Sequence, residues 1–293
     1  MTYEEQIERL IHISKNKPLL PETFVPWTVQ PRTDELYLPE NLTSLYGMKE
    51  YDLLTPQQKI DLGKHEVVQV MYSYAWSEAL FCMFMNRYIL SLNTNSIEYR
   101  FLLRELIEEF RHQEMFGQAI TQLKGQPILP TFIHRILGTQ HVKFMPVDIV
   151  FLSCLAVEIM ADRYGSCIRK DNNVYEVLQK VSELHNIEEA RHILFTKKFM
   201  ATRTAKAGFI KRTMYSYIIL LNIYFMRTMY IKREIYDRIG LKDTRRLYKK
   251  AYRNYKKNFG EQCLDEIISF VNEINGFNWA TRWAWRTFLK ANV

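Results

Sequence analysis

Apolar residues return at helical spacing through long stretches of this chain, and the stops between those stretches mark out its elements. A first long helix is expected from about Pro56 or Leu62 to about Leu92, with Met71, Tyr74, Ala75, Phe81, Cys82 and Met85 along one face. The Asn93-Thr94-Asn95-Ser96 cluster breaks it, and Ser96 supplies an N-cap for a second helix running to about Leu123. Gly125, Pro127, Pro130, Gly138 and Pro146 then mark a long crossover with room for a short helix. A third helix follows Pro146 to about Arg169, carrying Phe151, Cys154 and Leu155. After the Asp171-Asn172-Asn173 turn a fourth ends near Arg203.

Two helical hairpins joined by a crossover form the ferritin-like four-helix arrangement. The expected fold is therefore all-α, a single domain over residues 1–293 in three parts. Residues 1–60 begin with a short helix and continue as an extended wrapping segment punctuated by Pro18, Pro21, Pro26, Pro31 and Pro39. The bundle occupies 62–203, and further helices at 205–293 pack on it. Within that last part, Tyr215 to Tyr230 is apolar but interrupted by Asn222 and Arg227, which favours a core helix over a membrane span. The basic run from Arg245 to Lys257 interleaves tyrosines, as nucleic-acid binders do. Its Leu247, Tyr248, Ala251 and Tyr255 nevertheless have helical spacing, so an amphipathic helix with a basic outer face is the better reading. A Trp-rich end follows at Trp279, Trp283 and Trp285.

A pattern of ligand-type residues occurs twice on the four long helices. Glu78 is followed 31 residues later by Glu109-Phe-Arg-His112, and Glu158 by Glu189-Ala-Arg-His192 at the same distance, an offset of 80 residues. Each half also carries a leading acid, Glu108 or Glu188, and an arginine, Arg111 or Arg191, just before the histidine. Residues three apart share a helix face with Cβ atoms about 5–6 Å apart, so a Glu and a His in that relation can aim at one ion. A lone Glu-x-x-His arises easily on a solvated face. Here Glu78 and Glu158 lie on apolar stripes, where a carboxylate is costly to bury unless it is paired or holds a metal. Carboxylate and imidazole donors suit iron, with manganese as the alternative. Four helices supplying such donors form a dimetal centre.

His185, four residues before Glu189, adds a third histidine to that helix face, while the matching position in the first half is Glu105. With it the set Glu78, Glu109, His112, Glu158, His185, Glu189 and His192 resembles the non-haem diiron N-oxygenase family of p-aminobenzoate N-oxygenase (aureothin biosynthesis type). The likeness covers mainly residues 66–200. It implies two iron ions per chain and an enzyme that activates O2 and oxygenates an aryl amine toward hydroxylamine, nitroso or nitro. The chain has no flavin or nicotinamide fingerprint, so an external electron donor is expected: a separate reductase, a small reductant or the substrate itself. Arg111 and Arg191 are either partners of the site carboxylates or exposed helix residues. Asp162 either orients a ligand histidine or is an exposed acid. Tyr74, Phe81, Phe116, Leu155 and Tyr164 are candidates for lining a cavity near the metals.

Three rivals remain in view. A ribonucleotide-reductase small subunit would place a radical tyrosine where this chain has Phe116. A ferritin- or rubrerythrin-like iron handler is the main non-oxygenase alternative, and a purely structural or nucleic-acid-binding helical protein the third. The formal charge of +8 permits an acidic partner without establishing one. A hydrophobic content of 47% suffices for a sizeable core, and 10 glycines and 9 prolines in 293 residues are few enough to favour long helices. The 4 cysteines show no Cys-x-x-Cys spacing, and the N-terminus lacks signal-peptide character; a cytoplasmic location and a homodimer are expected.

Overall fold

In the computed structural model, residues 2–293 are described, apart from the side chains at 257, 260 and 261. The helices are α1 (Tyr3–Asn16), the one-turn α2 (Pro21–Phe24) and α3 (Lys49–Asp52), α4 (Pro56–Ile89), α5 (Ile97–Gln122) and α6 (Phe132–Phe144). They continue with α7 (Val147–Lys170), α8 (Glu176–Ala205), α9 (Phe209–Tyr230), α10 (Arg233–Arg238), α11 (Thr244–Cys263), α12 (Asp265–Glu273) and α13 (Trp279–Ala284). Among the described residues the only β pairing is an isolated bridge between Leu36 and Val174. The fold is all-α.

The ends of the long helices follow local chemistry. Thr55 and Gln58 form a capping box at the start of α4, with Pro56 at its first turn, where a missing N–H costs nothing. Ser96 accepts the Tyr99 N–H at 3.2 Å and starts α5, as its sequence position suggested. Thr131 caps α6 in the same way. This helix of 13 residues fills much of the crossover that the Gly and Pro signals had left open.

The pairs α4 with α5 and α7 with α8 are the most extensively packed, and α5 also meets α8. Their facing sides hold the core, including Phe84, Leu102, Met115, Phe151, Leu184 and Phe195, each buried. Burying such a side chain contributes roughly 1.5–3 kcal/mol. The same sides carry Glu78, Glu109, Glu158 and Glu189.

The remaining parts hold that arrangement from outside. The N-terminal segment crosses from α5 to the start of α8. Gln122 Nε2 donates to the carbonyl of Trp27 at 2.9 Å, and the Tyr175 hydroxyl to that of Val29 at 2.5 Å. Further on, Ser44 N–H donates to Glu66 of α4 at 3.0 Å. At the other end of the chain α9 lies against α7 and α4 as a core helix. Its Arg227, which interrupts the apolar run, is buried and donates to the carbonyl of Phe288 at 3.0 Å. The basic run forms part of α11, with Leu247, Ala251 and Tyr255 buried. Among the described residues no helix is long and apolar enough to cross a membrane.

Candidate metal centre

Four helices deliver the ligand-type residues to one buried place. Glu78 comes from α4, Glu109 and His112 from α5, Glu158 from α7, and His185, Glu189 and His192 from one face of α8. One donor atom from each of Glu78, His112, His185 and Glu189 lies within 4.8 Å of the others. Glu109, Glu189 and His192 form a second such group, so Glu189 belongs to both. Glu158 is buried beside the second group, with both oxygens unpartnered.

Two carboxylates span the histidine pair. Glu109 places Oε1 3.1 Å from His192 Nδ1 and Oε2 3.9 Å from His112 Nδ1. Glu189 places Oε1 3.4 Å from His112 Nδ1 and Oε2 3.5 Å from His192 Nδ1. Each therefore turns one oxygen toward each histidine. His185 Nε2 sits 3.2 Å from Glu78 Oε1 and 3.3 Å from Glu189 Oε1, beside His112.

The outer nitrogens of the two repeat histidines are held across the helix pair. His112 Nε2 lies 2.9 Å from Glu188 of α8, and His192 Nε2 lies 2.9 Å from Glu108 of α5. Nε2–H donation to a carboxylate fixes the tautomer in which Nδ1 turns its lone pair inward, and it makes that nitrogen a better donor. Arg111 and Arg191 complete the exchange: Arg111 reaches Glu188 at 2.9 Å, and Arg191 reaches Glu108 at 2.9 Å. Both arginines are thus partners of buried acids. Ser14 of α1 also donates to Glu108 at 2.5 Å, tying the first helix to the site. Asp162 orients no histidine; its carboxylate accepts from the Asn186 side chain at 2.7 Å. The leading acids were visible in the sequence as part of the repeat, but their cross-helix role was not.

Charge is the central problem of this cluster. Burial raises the Glu158 carboxyl well above its usual range, lifts Glu78 despite the nearby His185, and pushes Glu105 up to about 8. Burial opposes ionisation of Glu189 too, yet His192, His185 and His112 together hold it well below its usual value. It likewise opposes protonation of His112 and His192, but the surrounding carboxylates outweigh it and raise both. Glu78 Oε2, Glu109 Oε2, Glu189 Oε2, both Glu158 oxygens and the Nδ1 atoms of His112 and His192 have no hydrogen-bond partner. They are close together but not aligned on one another, as donor atoms aimed at common points between them would be. Unpaired buried groups of this kind cost about 1–3 kcal/mol each, and a cation in their midst removes that cost. The donor set of carboxylates and imidazoles fits a pair of iron or manganese ions.

A cavity of about 290 Å³ opens onto these carboxylates. Glu78, Glu109, Glu158, His185 and Glu189 lie at its polar end, and the rest is mainly apolar. Its walls come from α4 and α7, but also from the crossover helix α6 and from α9, which sequence periodicity could not place there. Of the expected lining residues, Tyr74 and Phe81 do line it. Phe116 and Tyr164 instead line a smaller space behind His185, and Leu155 is a core residue that borders neither. Farther from the carboxylates, His141, Ser153 and Asn222 form a polar cluster: Ser153 Oγ lies 2.8 Å from His141 Nε2 and 2.9 Å from Asn222 Nδ2. Among the described residues no lysine or arginine lines the cavity.

Comparison with known proteins points the same way. The family model described as "P-aminobenzoate N-oxygenase AurF" matches residues 1–275. The chain is also similar to the uncharacterized proteins Mb0909 of Mycobacterium bovis and Rv0885 of Mycobacterium tuberculosis. Each is 23% identical over 182 residues, which cover 61% of this chain and 52% of the relative. The chain spans about half the length of the curated relatives it matches.

Proposed function

The chain belongs to the p-aminobenzoate N-oxygenase AurF family, and from that premise we propose that it is a diiron oxygenase acting on the nitrogen of a neutral, largely apolar aryl amine. The observation that carries the reading is a set of buried, converging Glu and His donors, several of whose inward atoms lack hydrogen-bond partners, at the end of an apolar cavity. In this reading Glu78, Glu109, His112, Glu158, His185, Glu189 and His192 would hold two iron ions, and Glu109 and Glu189 are the carboxylates that turn one oxygen toward each of His112 and His192. Their helices form a ferritin-like four-helix bundle within a single domain that works as a homodimer.

The two ions, when bound, supply the reduction of O2. For the first oxygenation the balance is amine plus O2, two electrons and two protons, giving hydroxylamine and water; the electrons come from an external donor. The protein contributes position and exclusion. Glu108 and Glu188 hold the His192 and His112 rings, and the apolar walls keep water from the reacting nitrogen. Arylamines remain unprotonated at neutral pH, so their nitrogen lone pair is free and their entry into an apolar cavity carries no charge.

The cavity also argues about substrate class. Burial lowers the His141 pKa, which favours its neutral form at pH 7, and among the described residues no lysine or arginine lines the walls. A ring-borne carboxylate would be desolvated without a partner, which is costly. A neutral polar substituent instead finds the His141, Ser153 and Asn222 cluster.

The test is to load the apoprotein with two ferrous ions per chain without oxygen, add 18O2 and an electron donor, and offer neutral arylamines alongside aminobenzoates. Labelled hydroxylamine from the neutral amines, at a kcat/KM about tenfold or more above the carboxylated ones, is expected. Preference for the acids overturns the substrate class. Oxygen consumption with no amine-dependent product, and iron uptake continuing beyond two per chain, replaces the oxygenase with an iron-handling protein.

A further inference from the structure

Glu105 stands where the repeat is broken. It precedes His185 by 80 residues, the same offset that relates Glu109 to Glu189 and His112 to His192. It lies on α5 one turn before Glu109, as His185 lies on α8 one turn before Glu189. Glu105 is 1% exposed, and neither carboxylate oxygen has a hydrogen-bond partner. Its Oε1 lies 3.9 Å from His192 Nδ1, the inward-facing nitrogen.

We propose that Glu105 is an eighth metal-directed side chain, a carboxylate ligand for the ion held by His192 and Glu158, placed there as His185 is placed at the other ion. The inference rests on the dimetal reading above and deepens it. Two donors on one ion with bonds of about 2.1 Å lie about 3 to 4 Å apart, depending on the angle between them. The separation of Oε1 from His192 Nδ1 falls within that range. Neither an arginine nor a hydrogen-bonding side chain satisfies this carboxylate, unlike Glu108 and Glu188, which are paired with both arginine and histidine.

The consequence is a centre with two unlike halves. One ion has two imidazoles, from His112 and His185. The other has one, from His192, and an additional anionic oxygen donor from Glu105. A hard divalent cation such as Fe2+ or Mn2+ suits the second half better than a softer one.

Anaerobic ferrous titration of the apoprotein and of Glu105→Gln, with Mössbauer spectra of the fully loaded samples, tests this. The wild-type chain is expected to bind two irons with two distinct quadrupole doublets of equal area. Glu105→Gln keeps the shape and removes the anion; its second iron should bind about tenfold or more weakly, and one doublet should change. Should that variant not fold, Glu105→His carries the test, because it gives both ions the same donor types and should draw the two doublets together. Wild-type affinity with both doublets unchanged in the folded variant overturns the inference alone. A wild-type chain that binds neither iron nor manganese overturns the dimetal reading and this inference with it.

Discussion

Glu188 touches no expected metal position, yet three side chains depend on it. It accepts from His112 at 2.9 Å and from Arg111 at 2.9 Å, and Arg191 lies 3.4 Å away. Removing the carboxylate frees the His112 ring to rotate and leaves the half-buried Arg111 guanidinium without its anion, while Arg191 keeps Glu108. Glu188→Ala is therefore expected to lower iron affinity about 10–100-fold, and Glu188→Gln, which retains an acceptor oxygen, to lower it less. Anaerobic ferrous titration of both variants checks the order; equal affinity across wild type, Gln and Ala removes the orienting role. Glu108 is held by the matching pair, His192 and Arg191, with Ser14 added. Burial works against its charge, but the bond to His192 and the nearby Arg191 bring its pKa down to about 2. Across the neutral range it stays an anion and holds the His192 ring through Nε2–H, with Nδ1 facing inward.

At the scale of elements, α6 changes the picture most. Sequence punctuation marked its region as a crossover, and the Gly138 signal looked like one more break. In the structure Gly138 is where α6 meets α4: a Cβ built there would lie 2.7 Å from Leu80 Cδ1 and 2.7 Å from the Trp76 ring. The glycine lets the crossover lie close enough to wall the cavity, with His141 and Val142 one turn farther on. Gly138→Ala should cost about 1–3 kcal/mol in urea unfolding through this overpacking, raise KM for bulky amines, and leave iron affinity unchanged. A parallel loss of iron would show instead that α6 supports the centre itself. The N-terminal α1 makes a comparable long-range tie, because Ser14 reaches Glu108, and Arg104 donates to Ser14 Oγ at 3.2 Å.

For the whole molecule, the cluster makes folding and metal binding one problem. Without cations the fold must confine at least five carboxylates, those of Glu78, Glu105, Glu109, Glu158 and Glu189, among three histidines. A metal that binds only the folded state stabilises it by about 2.7 kcal/mol per site at a hundredfold excess over Kd. Two such sites give about 5 kcal/mol, a rise in Tm of roughly 10 °C for a chain of this size. Calorimetry of the chelated protein against protein loaded with ferrous or manganous ion, both without oxygen, measures it. A Tm that does not move with either ion contradicts the proposed centre.

The sequence by itself determined the helices and the set of residues that meet. Amphipathic periodicity and caps such as Ser96 are local, and a repeated Glu-x-x-His with a distant Glu is readable because each helix turn fixes which residues share a face. That was enough to nominate Glu78, Glu109, His112, Glu158, His185, Glu189 and His192, which the fold brings to one place. Only the tertiary structure decided what crosses between helices. It paired Glu108 with His192 and Glu188 with His112, gave Asp162 to Asn186, and turned Glu105 from a flaw in a repeat into a buried carboxylate facing His192. It also brought α6 and α9 to the cavity and left lysine and arginine off its described walls. The physical reason is the same throughout: a 3.6-residue period says which way a side chain points on its own helix, while its partner on another helix depends on the packing of the whole chain.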